Sequence, residues 1–203
     1  MKTKIIFIDG ADGSGKTSLI KRLISGFDGL PNRYANCLIE LKFNKATGGL
    51  LRINDETHFE IMKALLVHLP KDKVWIIDRC YLSNMVYDKV LREDDALPSL
   101  EFRDWCKDNL DSIEIVLDRD EVTEDYEDDL IAMNKEVMNW VIKEYRQYTE
   151  MPKYLNRKDG RILVNDDVYK EVYDMAREMI SEMWNENRGQ QHNWSYGADG
   201  DYQ

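Results

Sequence analysis

Eight residues near the start of the chain, Gly10-Ala11-Asp12-Gly13-Ser14-Gly15-Lys16-Thr17, have the spacing GxxxxGK[ST]. Glycines at these positions let main-chain N–H groups converge on phosphate oxygens, and a helix opening directly after them adds its partial positive charge. Lys16 then reaches the β- and γ-phosphates, and the Thr17 hydroxyl meets Mg²⁺. Gly10, Asp12, Gly13, Ser14, Gly15, Lys16, Thr17 and Ser18 are therefore the candidate nucleotide-binding residues, with ATP or GTP as ligand. A glycine-rich turn with an incidental lysine is the other reading. The apolar run before the motif and the amphipathic stretch after it favour the phosphate loop. A second pair, Asp78-Arg79, closes another apolar run. A carboxylate there can hold the water shell of Mg²⁺, and the arginine can place its fork on a phosphoryl group. An isolated pair of this kind would read as a strand-end ion pair.

Short apolar runs must position these groups. They are Ile5–Ile8, Cys37–Leu41, Val74–Ile77, Ile113–Leu117 and, more weakly, Arg161–Val164. Such runs are buried on both faces and predict strands of a parallel sheet. Helical periods lie between them: from Gly15 through Ile24, Glu56–Leu69, Leu82–Leu91, Ser99–Leu110 with Ser99 as N-cap, Glu124–Tyr148 and Val168–Trp184. The alternation predicts an α/β fold of the P-loop NTPase type, three layers α/β/α around a five-stranded parallel sheet. One domain is expected over residues 1–186, with a lid at about 118–130. Residues 187–203, with three glycines and no aliphatic periodicity, read as a flexible tail.

Composition narrows the partners. Of 203 residues, 39 are Asp or Glu and 28 Lys or Arg, a formal charge of −11. A mean field of that sign disfavours non-specific binding to nucleic acid or an anionic membrane. Any phosphate chemistry has to come from local dipoles and a few fixed cations. The N-terminus carries no signal-length apolar run, and the three cysteines have no CxxC spacing. A cytoplasmic protein with reduced thiols is expected. Neither Asn44-Lys45 nor Asn134-Lys135 continues into the NKxD base reader of a GTPase.

Three segments together resemble thymidylate kinase and, more broadly, the deoxynucleotide kinases. Ile8–Thr17 is similar to the family's acidic-Gly-x-Asp-Gly-x-Gly-Lys-Thr loop. Asp78-Arg79-Cys80-Tyr81-Leu82-Ser83-Asn84-Met85-Val86-Tyr87 is similar to its Asp-Arg-Tyr-x-x-Ser segment. Phe43–Leu51 is a weaker match to its Phe-Pro-x-Arg stretch. The resemblance implies transfer of the γ-phosphoryl group of ATP, with Mg²⁺, to a deoxynucleoside monophosphate such as dTMP. It also implies a homodimer. By the same resemblance Asp12 meets the acceptor's sugar hydroxyl, Asp78 the metal shell and Arg79 the acceptor phosphate. Ser83 lies near the acceptor, Tyr87 under the deoxyribose, and Lys45 where the family has a phosphate-binding arginine.

Two departures stand out. The thymine-reading arginine is missing from the helix before the third strand. Phe59 there is either a base-stacking ring or a core residue. The lid, Asp118–Asp129, carries eight acidic residues and one arginine. Arg119 is its sole candidate for a transition-state cation, unless it merely pairs with a neighbour. Arg146, Arg157 and Arg161 could substitute only if the chain folds back. Two other functions stay open: a deoxynucleoside kinase using Glu40 as base, and an inactive kinase-like module that binds partners.

Overall fold

The chain places its most apolar strand, β1 (Thr3–Gly10), at the centre of a parallel sheet, where every residue is buried. The computed structural model describes residues 2–25, 37–41, 55–92, 97–127, 132–148, 153–155 and 166–194. Around β1 lie β2 (Leu38–Leu41), β3 (Val74–Asp78) and β4 (Leu110–Asp118). The elements labelled β5 (Tyr126–Glu127) and β6 (Ala132–Met133) form a separate antiparallel ribbon. A three-residue strand, β7 (Lys153–Leu155), pairs with the end of β4, and the order across the sheet is β2-β3-β1-β4-β7. Four of the five predicted strands thus appear. The fifth, Arg161–Val164, lies outside the described residues, and the short edge strand β7 is the one seen beside β4.

Alternation along β1 assigns its side chains to two layers. Ile5 and Phe7 face a core built with α2 (Asp55–His68), α3 (Tyr81–Tyr87), α4 (Leu97–Asn109) and α5 (Lys135–Tyr148). Ile6 and Ile8 face α1 (Lys16–Ser25) and α6 (Asp166–Trp194). Lys4 is the one cation buried inside β1, and ion pairs to Asp111 and Glu182 satisfy it.

Several helix boundaries differ from the periodicity. The stretch read as helix from Glu124 begins only at Lys135. Asn134 caps it by accepting the Val137 N–H at 2.9 Å, and Glu127 before it lies in the β5–β6 ribbon. Five acidic residues in Glu124–Asp129 put like charges on neighbouring helical positions, which disfavours a helix there. The helix expected from Leu82 to Leu91 is α3 followed by a π turn, Asp88–Arg92. Ser99 is not an N-cap but the third residue of α4, which opens at Leu97-Pro98 with proline in the tolerant first turn. The last helix continues to Trp194, eight residues into the segment read as a tail. Among the described residues no helix is long and apolar enough to cross a membrane.

Candidate active site

The sheet order creates the site. β1 lies between β3 and β4; α1, which follows β1, packs on one face of the sheet and α3, which follows β3, on the other, so a crevice opens at the carboxyl ends of these strands. Ile8 is in register with Asp78, and Gly10 with Leu117. The phosphate loop leaves the sheet there. Gly10 and Gly13 adopt φ of 141° and 69°, conformations that glycine enters without Cβ strain. A Cβ at Gly10 would overlap the Leu117 main-chain oxygen and lie 2.7 Å from Ser14 Oγ; one at Gly13 would overlap Arg119 Nη1.

Lys16, the first residue of α1, is 7% exposed. Its ammonium donates to the carbonyls of Gly10 (2.9 Å) and Ala11 (2.8 Å). Burial, then the Arg79 charge, lowers its pKa to about 7, against Asp12, Asp78 and Asp9. Thr17 is exposed and Ser18 half-buried in the same first turn, while Ser14 Oγ is buried without a partner among the described residues.

Arg79 follows β3 with φ of 65°, a left-handed conformation that costs a side-chain-bearing residue about 1–2 kcal/mol. The bend turns its guanidinium back over the loop. Nη2 pairs with Asp12 Oδ1, and Nη1 donates to Gly10 O (3.1 Å), Tyr145 OH (3.3 Å) and Ser83 Oγ (3.4 Å). The group lies 5.4 Å from the Tyr87 ring centre, and Tyr87 OH donates to Asp12 Oδ2 at 2.6 Å. Burial raises the Tyr87 pKa, with Arg79 opposing, so the phenol stays a donor at neutral pH. Asp12, Arg79, Ser83 and Tyr87 are therefore brought together, as their sequence pattern suggests.

Arg119 also reaches the loop. Its Nη1 donates to the Asp12 carbonyl at 2.7 Å, and its guanidinium sits 5.6 Å from the Tyr126 ring centre. Arg146 comes from α5 to hold this segment: Nε lies 2.9 Å from both Asp118 carboxylate oxygens, and Nη2 donates to the Arg119 carbonyl at 2.8 Å. The segment after β4 thus delivers Arg119 to Gly13.

Other expected residues fare differently. Phe59 is corrected from base-stacking to core: it is 2% exposed and stacks on Phe102 with ring centres 4.6 Å apart. Lys45, Arg157 and Arg161 lie outside the described residues. Glu40 is in register with Ile76, two residues short of Asp78. Three contributors had no assigned role in the sequence reading. Asp9 is fully buried under the loop, Tyr145 contacts both Arg79 and Ser83, and Asp118 anchors Arg146. The signal for Asp9 was present, a carboxylate ending an apolar strand before glycine. Tyr145 falls at core spacing with Val141 and Ile142, and nothing marks it apart.

The donor set suits a hard cation. Asp78 Oδ1 is buried with no partner among the described residues, and the Thr17 hydroxyl is free to reach outward. No cluster of three or more His, Cys, Asp or Glu able to hold a metal occurs among the described residues. An ion here would share phosphate oxygens and water with Asp78 and Thr17, the manner in which Mg²⁺ is usually held.

No protein-family model matches the chain, and no curated protein matches it by sequence. Solved structures do. A thymidylate kinase from Ehrlichia chaffeensis superposes with a TM-score of 0.52 at 17% identity, over 86% of this chain and 99% of that one. A thymidylate kinase from Candida albicans gives 0.50 at 13%, over 91% and 93%. A NadR protein in complex with NR gives 0.50 at 18%, over 88% of this chain and 52% of that one. At such identities the likeness shows the fold alone, an α/β fold with a parallel sheet like that of the two thymidylate kinases.

Proposed function

We infer that this chain is an ATP-dependent nucleoside monophosphate kinase, with a deoxynucleoside monophosphate, dTMP first, as acceptor. The observation that carries the reading is Arg79. Its left-handed bend holds the guanidinium against Gly10 and Asp12, beside the phosphate loop and next to the Tyr87 ring. A fork so held suits the phosphate of an acceptor whose sugar lies on Tyr87.

The acceptor oxygen is already ionised at neutral pH, so the site needs no strong general base. Its residues have to align two phosphates and offset their charge. The loop N–H groups and Lys16 bind the donor's phosphates. Arg79 holds the acceptor phosphate, and Asp12 orients both Arg79 and the acceptor's sugar. Arg119, above Gly13, is placed to meet charge that develops on the transferring group. Mg²⁺ held by Thr17 and Asp78 would supply further neutralisation of the phosphate oxygens.

ADP release, measured by a coupled assay across nucleosides and monophosphates, tests the reading. Release that depends on a monophosphate is expected. Release only with nucleosides, or none with any acceptor, would overturn it. In the nucleoside-kinase alternative Glu40 would be the base, so Glu40→Gln would abolish turnover; here it should leave the rate near wild type. The exposed Ile61 and Leu65 of α2 and Leu97 and Leu100 of α4 support the homodimer expected from the resemblance. Light scattering checks it: a dimer mass is expected, and a monomer at all concentrations contradicts it.

A further inference from the structure

Asp9 is 0% exposed and sits at the point where β1 becomes the phosphate loop. Its Oδ1 accepts from Ser83 Oγ and, at 3.5 Å, from the Cys80 N–H. Its Oδ2 is buried with no partner among the described residues. Cys80 is the N-cap of α3, and its own side chain makes no capping bond. Ser83 is the third helical residue. One carboxylate from a neighbouring strand therefore takes the Cys80 N–H, which the third residue's side chain would take in a capping box, and the Ser83 hydroxyl as well.

The proton directions along this network follow from chemistry. Ser83 donates its single hydroxyl proton to Asp9. Ser83 Oγ must then accept from Tyr145 OH at 2.7 Å, and the Tyr145 oxygen accepts from Arg79 Nη1 at 3.3 Å. A one-way chain runs from guanidinium to carboxylate. Main-chain ties flank it: the Arg79 N–H donates to Ile8 O at 2.9 Å, and the next residue's N–H goes to Asp9. A residue at φ 65° persists only where its surroundings over-determine it, and these ties all converge on Ile8–Asp9. Burial pushes the Asp9 carboxyl up, while Ser83, Arg79 and Lys16 hold it down.

We propose that Asp9 is a positioning residue that fixes the strained Arg79 bend and, through Ser83 and Tyr145, the direction of its guanidinium. The proposal rests on the phosphotransfer reading for its catalytic consequence, but not for its structural one.

A double-mutant cycle with an independent spectroscopic readout tests it. Asp9→Ala should lower kcat/KM for the acceptor by about 10- to 10²-fold, less than the roughly 10²- to 10³-fold cost of losing a transition-state donor itself, because Arg79 stays in place but is no longer held. Affinity for an ATP analogue should stay within about threefold. Asp9→Asn, which keeps an acceptor oxygen for Ser83 and Cys80, should recover most of the loss. In an Arg79→Ala background Asp9→Ala should add nothing. Additive losses would show that Asp9 acts independently of Arg79 and overturn the proposal. If Asp9→Ala does not fold, Ser83→Ala breaks the same chain and takes its place in the cycle.

Arginine side-chain ¹⁵N spectra, recorded without any acceptor, should show hindered Arg79 guanidinium rotation in wild type and free averaging in Asp9→Ala. If wild type transfers phosphate to no monophosphate, the kinase reading falls and the spectra still decide the role of Asp9. An unchanged Arg79 signal in Asp9→Ala would overturn it.

Discussion

Nucleotide binding should draw a proton onto Lys16, and the size of the effect follows from its surroundings. The ammonium is buried and donates to two loop carbonyls. Desolvation, helped by Arg79, brings its pKa to about 7. A polyphosphate in the loop reverses that balance by placing several negative charges beside it. At pH 8 a group of this pKa is about one-tenth protonated, so binding should take up about 0.9 proton per nucleotide; at pH 6 the uptake falls to about 0.1. The linked affinity should be about tenfold weaker at pH 8 than at pH 6, or ~1.4 kcal/mol. Calorimetric titration with a non-hydrolysable ATP analogue, in two buffers of different ionisation enthalpy, measures the uptake directly. Lys16→Gln removes the titrating group, while the nucleotide's own ionisation is common to both proteins. Equal uptake in wild type and Lys16→Gln, or net proton release at pH 8 in wild type, would refute the reasoning.

Four further outcomes follow from the site and its frame. Arg79→Ala should cost at least about 10²-fold in kcat/KM, while Arg79→Gly should be as inactive yet no less stable than Arg79→Ala, because glycine relieves the strain at φ 65°. Denaturant melts of the two variants check this. Gly13→Ala should leave the protein folded but cost about 10²-fold in kcat, since its Cβ would displace the Arg119 guanidinium. Gly10→Ala should instead lower Tm, because it strikes main chain, the Leu117 carbonyl. Glu114 in β4 is held at about 7 from its ordinary 4.5, first by burial and then by Asp9. Its folded pKa is raised, so its contribution to stability is full below pH 4.5 and lost as pH rises through 7, about 3 kcal/mol in all. Glu114→Gln should flatten the pH dependence of Tm between pH 5 and 7.

Much of the site was legible because its residues are close in sequence. Gly10–Thr17 is a contiguous motif, and Asp78–Tyr87 joins a strand end to the next helix, so local spacing carries both. Features that depend on backbone strain or long-range approach were not legible. No sequence signal puts Arg79 at φ 65°, and Tyr145 reaches it from 66 residues away. Arg119 and Arg146 meet over Asp118 only because α5 packs against the end of β4. Phe59 could not be assigned from pattern, since a core ring and a stacking ring share the same helical position. The end of α6 was not legible either, since helix formers such as Glu, Arg and Gln carry it to Trp194, past the last aliphatic residue, without any apolar period.

The most direct measurement follows the labelled γ-phosphate of ATP into product with dTMP as acceptor, in wild type and in Arg79→Ala. The site geometry predicts that label appears in dTDP with wild type, at a rate about 10²-fold lower with Arg79→Ala. Label found only in inorganic phosphate, or equal transfer by both proteins, would contradict an acceptor phosphate held by Arg79.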